Sequence, residues 1–207
     1  MKKFEFTGEI KTTWWGVVLH QIRALVKIEF GLKTVNPGDL GGWIEKEENL
    51  SHEGKAWVWG NAEVWGNAEV WGNAEVWGNA EVWGNAEVWG NAKVCGDAKV
   101  WGNAKVWGNA EVWGNAEVWG DAFLFRAEHI FTIGPAGSRN AFTTFFRNKK
   151  GEIKVRCGCF YGTIDEFEAK VDKTHGENKH ALVYHAAAQI ARKQLDLTSY
   201  EDDEKKG

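Results

Sequence analysis

The sequence predicts a mainly β protein built on a parallel β-helix, with a β cap before it and a small α+β domain after it. Three observations predict this. Eleven tandem hexapeptides run from Val58 to Phe123 without a slip in register. The composition is skewed to match: 207 residues include 25 glycines and 14 tryptophans but only 2 prolines, and ten of the tryptophans hold one position of the repeat. On both sides the periodicity decays into segments of different character. A repeat of this length sets the architecture of the segments around it.

Position one of the repeat is always Val, position three Gly, position four Asn or Asp, and position five Ala. Position two is Trp except at Cys95, and position six is Glu or Lys until Phe123. A period of six fits neither an α-helix nor a plain alternating strand. It fits a coil of three short strands, each followed by a turn, so that three hexapeptides make one rung. Val and Ala are small enough to fill a narrow triangular prism. Gly-Asn and Gly-Asp supply the turns, because they tolerate the left-handed backbone region. An α-helical reading would put glycine at every sixth helical position, at roughly 1 kcal/mol each, and is rejected. The pattern resembles the hexapeptide-repeat family, whose motif is aliphatic, any, any, any, small, any. That resemblance implies a left-handed parallel β-helix.

Three hexapeptides per rung sort the outward residues into columns: Trp59, Trp77, Cys95 and Trp113; Trp65, Trp83, Trp101 and Trp119; Trp71, Trp89 and Trp107. Rungs about 4.8 Å apart make each column an aromatic ladder. Two readings stand. The ladders stabilise and cover the sheets, or at least one face is an oligomer interface, since three exposed ladders exceed the apolar patch of an ordinary monomer. The column of Trp65, Trp83, Trp101 and Trp119 is the candidate interface of a homo-oligomer, and other hexapeptide proteins favour a trimer. At position six, Glu63, Glu81, Lys99 and Glu117 share one column and Glu75, Lys93 and Glu111 another. Lysine between glutamates relieves like-charge repulsion, which is a structural role.

Four regions follow: an N-terminal β cap over 1–49, the β-helix over 50–129, the α+β domain over 130–196 and a flexible tail over 197–207. Solenoids need caps. Strand-like stretches span 12–19 and 24–30, a turn follows at Asn36-Pro37-Gly38-Asp39, and Ile44 and Leu50, six apart, predict an irregular first rung. The run Gly38-Asp39-Leu40-Gly41-Gly42-Trp43-Ile44-Glu45 with Asn49-Leu50-Ser51 resembles the leading segment of prophage-type hexapeptide proteins of uncharacterised function. Such proteins are labelled acyltransferase-like for their repeat, and the resemblance covers roughly residues 20–190. Beyond the repeat, strands are expected over 130–133, 141–147 and 153–157, with a hairpin turn at Asn148-Lys149-Lys150-Gly151. Thr163 and Glu166 form a capping box opening a helix over 164–173, and a second helix spans 178–195.

Functional chemistry concentrates in this last region. Gly134-Pro135-Ala136-Gly137-Ser138-Arg139-Asn140 is a glycine-containing loop that can cradle an anion through backbone N–H groups while arginine binds it bidentately. Between Ser138 and Phe160 lie six basic residues and one acidic, a local net of +5 in a chain of net −4. Ser138, Arg139, Asn140, Arg147, Lys154 and Arg156 are therefore the candidate ligand residues, suited to a phosphate-bearing, base-stacking ligand. An ordinary solvated hairpin is the competing reading. Cys157 and Cys159 with His175, His180 and His185 are weak zinc candidates, because Cys-x-Cys is not the usual Cys-x2-Cys knuckle. A Cys159–His175 nucleophile pair lacks an orienting acid.

The net charge argues against nucleic acid as a partner. No run of about eighteen apolar residues exists, and Met1-Lys2-Lys3-Phe4-Glu5-Phe6 lacks a signal-peptide core. A soluble cytoplasmic protein without a membrane partner is expected, in the host cytoplasm if phage-encoded. Cys95, Cys157 and Cys159 read as free thiols of a reducing compartment. No cofactor is called for. Hexapeptide acyltransferases typically place a histidine on a loop extruded between coils; residues 58–123 contain neither, and His52 and His129 merely flank them. The expected function is non-enzymatic: an oligomerising scaffold displaying a basic domain that binds an anionic, nucleotide-like ligand or a host protein, as an antagonist of host defence. Acyl transfer and a purely structural spacer are the alternatives.

Overall fold

Each hexapeptide forms the same local structure. Its Glu/Lys-Val pair is a two-residue strand, Trp leaves the strand at a corner, Gly-Asn turns, and Ala points back inside. In the computed structural model, which describes residues 1–198, these strands recur every six residues from β6 (Trp57–Val58) to β17 (Phe123–Leu124). Pairing is parallel and joins each residue to the one eighteen further on, as in Val64–Val82–Val100–Val118. The result is a β-solenoid of about five turns. Its interior is a column of valines and alanines, all buried, running from the cap to Leu124. The residues are small because three strands converge on one axis, and a larger side chain would overpack it.

The turns stack as tightly as the strands. Gly78 has φ +77°, and a Cβ there would lie 2.9 Å from the carbonyl oxygen of Gly96 one rung on, so the position takes glycine on both counts. The following asparagines form hydrogen-bonded ladders: Asn67 Nδ2 donates to Asn85 Oδ1 at 3.2 Å, and Asn85 Nδ2 to Asn103 Oδ1 at 3.1 Å. Indole stacking accompanies this in two columns. Trp65, Trp83 and Trp101 stack with centroids 5.0 and 4.9 Å apart, and Trp71, Trp89 and Trp107 at 4.9 Å throughout. Cys95 breaks the third column. The charges are ordered too: Lys93, Lys99 and Lys105 occupy one turn and reach Glu111, Glu81 and Glu87 at 3.1, 2.8 and 2.9 Å.

The N-terminal cap extends one solenoid face. Strands β1 (Phe4–Thr12), β2 (Val18–Ala24) and β5 (Leu40–Ile44) precede β7 (Glu63–Val64) in a seven-stranded sheet. Ile44 pairs with Val64 and Leu50 bridges Val70, so the irregular first rung lies where the spacing placed it. Two expectations for the cap need correcting. Residues 12–19 are not one strand: Thr13 to Val17 form a hairpin tip with Gly16 at φ +82°, leaving Trp14 and Trp15 exposed. Residues 24–30 are likewise broken, and only Ile28–Phe30 continues as β3, pairing with β4 (Lys33–Val35). That small hairpin covers the Trp59 end of the broken column, with Phe30 5.6 Å from Trp59 and Lys33 4.7 Å above Trp77.

After the solenoid, β18 (Ile130–Ala136), β19 (Ala141–Arg147), β20 (Ile153–Cys157) and β21 (Phe160–Thr163) form an antiparallel meander. Helices α1 (Ile164–His175) and α2 (Lys179–Gln194) pack on one face of it around Phe145, Val155, Phe167, Tyr184 and Ala188. The capping box is formed, with Glu166 N–H donating to Thr163 Oγ1 at 3.2 Å and Thr163 N–H to Glu166 Oε2 at 2.7 Å. Most of the expected flexible tail, from 199 on, lies outside the described residues. Among the described residues, no helix is long and apolar enough to cross a membrane.

Candidate functional cleft of the C-terminal domain

A cleft of about 500 Å³ opens where three elements meet. The turn between β18 and β19 supplies Ser138 and Arg139. The hairpin between β20 and β21 supplies Cys157, Cys159 and Phe160, and α1 supplies Lys170 and His175. Two glycines permit this convergence. A Cβ on Gly137 (φ +71°) would collide with Tyr184 of α2, and one on Gly158 (φ +58°) with the Arg139 guanidinium. Phe167 and Tyr184 back the cleft, their rings edge-to-face at 5.6 Å. Ser138 Oγ lies 3.4 Å from His175 Nε2, and Arg139 Nη1 donates to Cys159 Sγ at 3.6 Å. Arg139, Lys170 and His175 line the cleft, and none of its lining residues is acidic.

Of the six residues read as a ligand set, only Ser138 and Arg139 line this cleft. Asn140 is exposed at φ +49°, closing the turn. Arg147 is buried: it donates to the backbone oxygens of Phe123 and Asn148 at 3.3 and 3.1 Å and lies over the Phe123 and Phe125 rings. Arg156 reaches back to Glu117 at 2.7 Å, over Trp101 and Trp119. Lys154 pairs with Glu152 at 3.3 Å. The basic patch therefore divides, and Arg147 and Arg156 pin the domain to the solenoid.

That joint explains why the last repeat departs from the consensus. Asp121 replaces asparagine and accepts from Tyr161 Oη at 3.1 Å and Asn148 Nδ2 at 3.0 Å, a purely acceptor role. Phe146 is fully buried and joins the solenoid's own core at its end. His129, also fully buried there, accepts from Phe125 N–H at Nδ1, and burial followed by the Arg147 charge pushes its pKa down to about 4.

The Trp65 column, the candidate interface, is closed by the chain itself at both ends. Trp65 is 5% exposed, and Trp119 lies edge-on under Tyr161 at 4.6 Å. Within the ladders the open indoles are in the broken column instead, Trp77 at 37% and Trp113 at 66%. Of the zinc candidates, Cys157, Cys159 and His175 share the cleft, but each thiol has another neighbour. Cys157 accepts from Thr143 Oγ1 at 3.1 Å, Cys159 faces Arg139, and His185 bonds Asp172 at 2.7 Å. Among the described residues no three His, Cys, Asp or Glu side chains lie close enough to hold a metal ion. The sequence reading missed Lys170 and Tyr184 as cleft residues. A lysine on an exposed helix face carries no signal of its own, and its role follows only from where α1 docks.

Searched against known protein families and against curated proteins, the chain matches none.

Proposed function

We propose that the protein is a non-enzymatic binding module, in which the solenoid is a rigid carrier and the C-terminal cleft takes a small anionic ligand with a planar part. The observation that carries this is the cleft's composition: Arg139, Lys170 and His175 beside aromatic side chains, with no carboxylate in the lining. The Arg139 and Lys170 cations attract phosphate or carboxylate groups, the His175 imidazole offers a hydrogen bond, and ring faces take a base or another flat group. The solenoid, coiled left-handed as its hexapeptide pattern implies, contributes stiffness and reach. Its repeats carry no histidine, while the flanking His52 and His129 accept backbone N–H groups of Lys3 and Phe125, which leaves acyl transfer of the hexapeptide type without a histidine base on the solenoid. The resemblance of the 38–51 segment to prophage-type proteins favours a ligand or partner from the host.

Self-association belongs to the same proposal, and its surface moves to the column of Trp77 and Trp113. The test is calorimetric titration of the full chain with adenosine monophosphate and pyrophosphate as probes. Binding that weakens about tenfold or more in Lys170→Gln, with the fold intact by circular dichroism, is the expected result. Absence of binding to both probes, or equal binding by the variant, would overturn the reading.

A further inference from the structure

The rim of the cleft carries two thiols that the binding reading leaves unused. Cys157 and Phe160 close the β20–β21 hairpin as its last paired residues, and Gly158-Cys159 forms the turn between them. This places Cys159 at the mouth of the cleft, exposed to solvent. Arg139 reaches it from the neighbouring turn, over the space left by the missing side chain of Gly158. The hydrogen bond from Arg139, and then its charge, hold the Cys159 thiol below the ordinary thiol range. Cys95 differs on every count: it lies on the solenoid wall, half-buried, and burial pushes its thiol up. Exposed thiols beside a guanidinium are the reactive ones, and buried thiols are inert.

We propose that Cys159 is a reactive thiol site, one that exchanges with low-molecular-weight disulfides at the mouth of the cleft. Its choice of an anionic disulfide rests on the binding reading above, since Lys170 and His175 line the same space. The thiol first gives its proton to solvent. The Sγ thiolate attacks one sulfur of the disulfide and forms a new S–S bond; the reagent's own S–S bond breaks, and its other half leaves as a thiolate with the electron pair. Cys159 is oxidised and the departing half reduced, so the disulfide is the only oxidant required. The mixed disulfide would then occupy the cleft mouth and block the ligand.

The experiment treats the native full-length chain at neutral pH with anionic dithiobis(nitrobenzoate), uncharged dipyridyl disulfide and iodoacetamide, and follows each cysteine by peptide mass. Cys159 should react first, about tenfold or more ahead of Cys95 with all three reagents. Cys159→Ser should remove the fast phase and Arg139→Gln should slow all three reactions. Lys170→Gln should slow the anionic disulfide alone. If Cys159 reacts no faster than Cys95 with any reagent, the proposal is overturned. If Cys159 is fast but indifferent to reagent charge, the thiol site stands and the anion-binding reading fails instead.

Discussion

The solenoid and the C-terminal domain solve the problem of stability in opposite ways. In the solenoid one set of contacts is repeated, so Val88, Asn85 and Trp89 do what Val70, Asn67 and Trp71 do one turn away. No single residue is decisive there, because each contributes a small share to a nearest-neighbour sum. In the C-terminal domain and its joint, every contact is made once. Phe146, Arg147, Asp121 and His129 have no second copy to fall back on. Repetition leaves little room for a particular site, whereas singular residues make one, and the cleft lies in the singular part.

That contrast is broken most severely at Phe146, which plugs the end of the prism. Phe146→Ala should cost about 3–5 kcal/mol and separate the melting of the domain from that of the solenoid. Chemical denaturation followed by tryptophan fluorescence and far-ultraviolet circular dichroism checks this, and coincident, unshifted transitions would count against it.

His129 tests the same joint through pH. Its folded pKa is about 4, against about 6.5 in an unfolded chain. Between these values the unfolded state binds a proton that the folded state refuses. Stability is therefore complete above about pH 6.5 and declines as the pH falls towards about 4, by roughly 3 kcal/mol. His129→Asn keeps an acceptor for Phe125 N–H and removes the titration. Subtracting its denaturation profile from the parent's cancels the carboxylates common to both and isolates the effect.

The smallest effect belongs to the repeat. Cys95→Trp restores the consensus between Trp77 and Trp113 and should change stability by no more than about 1 kcal/mol, in the stabilising direction. A large loss in thermal denaturation would mean that the broken column is shaped for cysteine.

Legibility followed the same division. The hexapeptide pattern revealed the rung length, the buried Val and Ala, the aromatic columns and the Ile44–Leu50 first rung, because each residue meets the same neighbours every eighteen positions. Thr163 announced the first helix through its capping box, and the second was expected over 178–195, where Asn178 is its N-cap, accepting the backbone N–H groups of His180 and Ala181. The joint was hidden by sequence distance. Arg147 and Arg156 read as part of a free basic patch because Phe123 and Glu117 lie 24 and 39 residues earlier. Strand β21 was missed because Phe160-Tyr161-Gly162-Thr163 is short, contains glycine and does not alternate. Half of the cleft, on α1 and α2, could not be assembled without knowing how those helices dock.

In the proposed division of labour the solenoid carries and the cleft binds. The most direct test excises one full turn, residues 82–99, joining Glu81 to Val100 in register, and titrates this variant and the parent with adenosine monophosphate. Both should bind, with dissociation constants within about twofold of one another. Binding lost with the turn, or absent from both chains, would contradict that division.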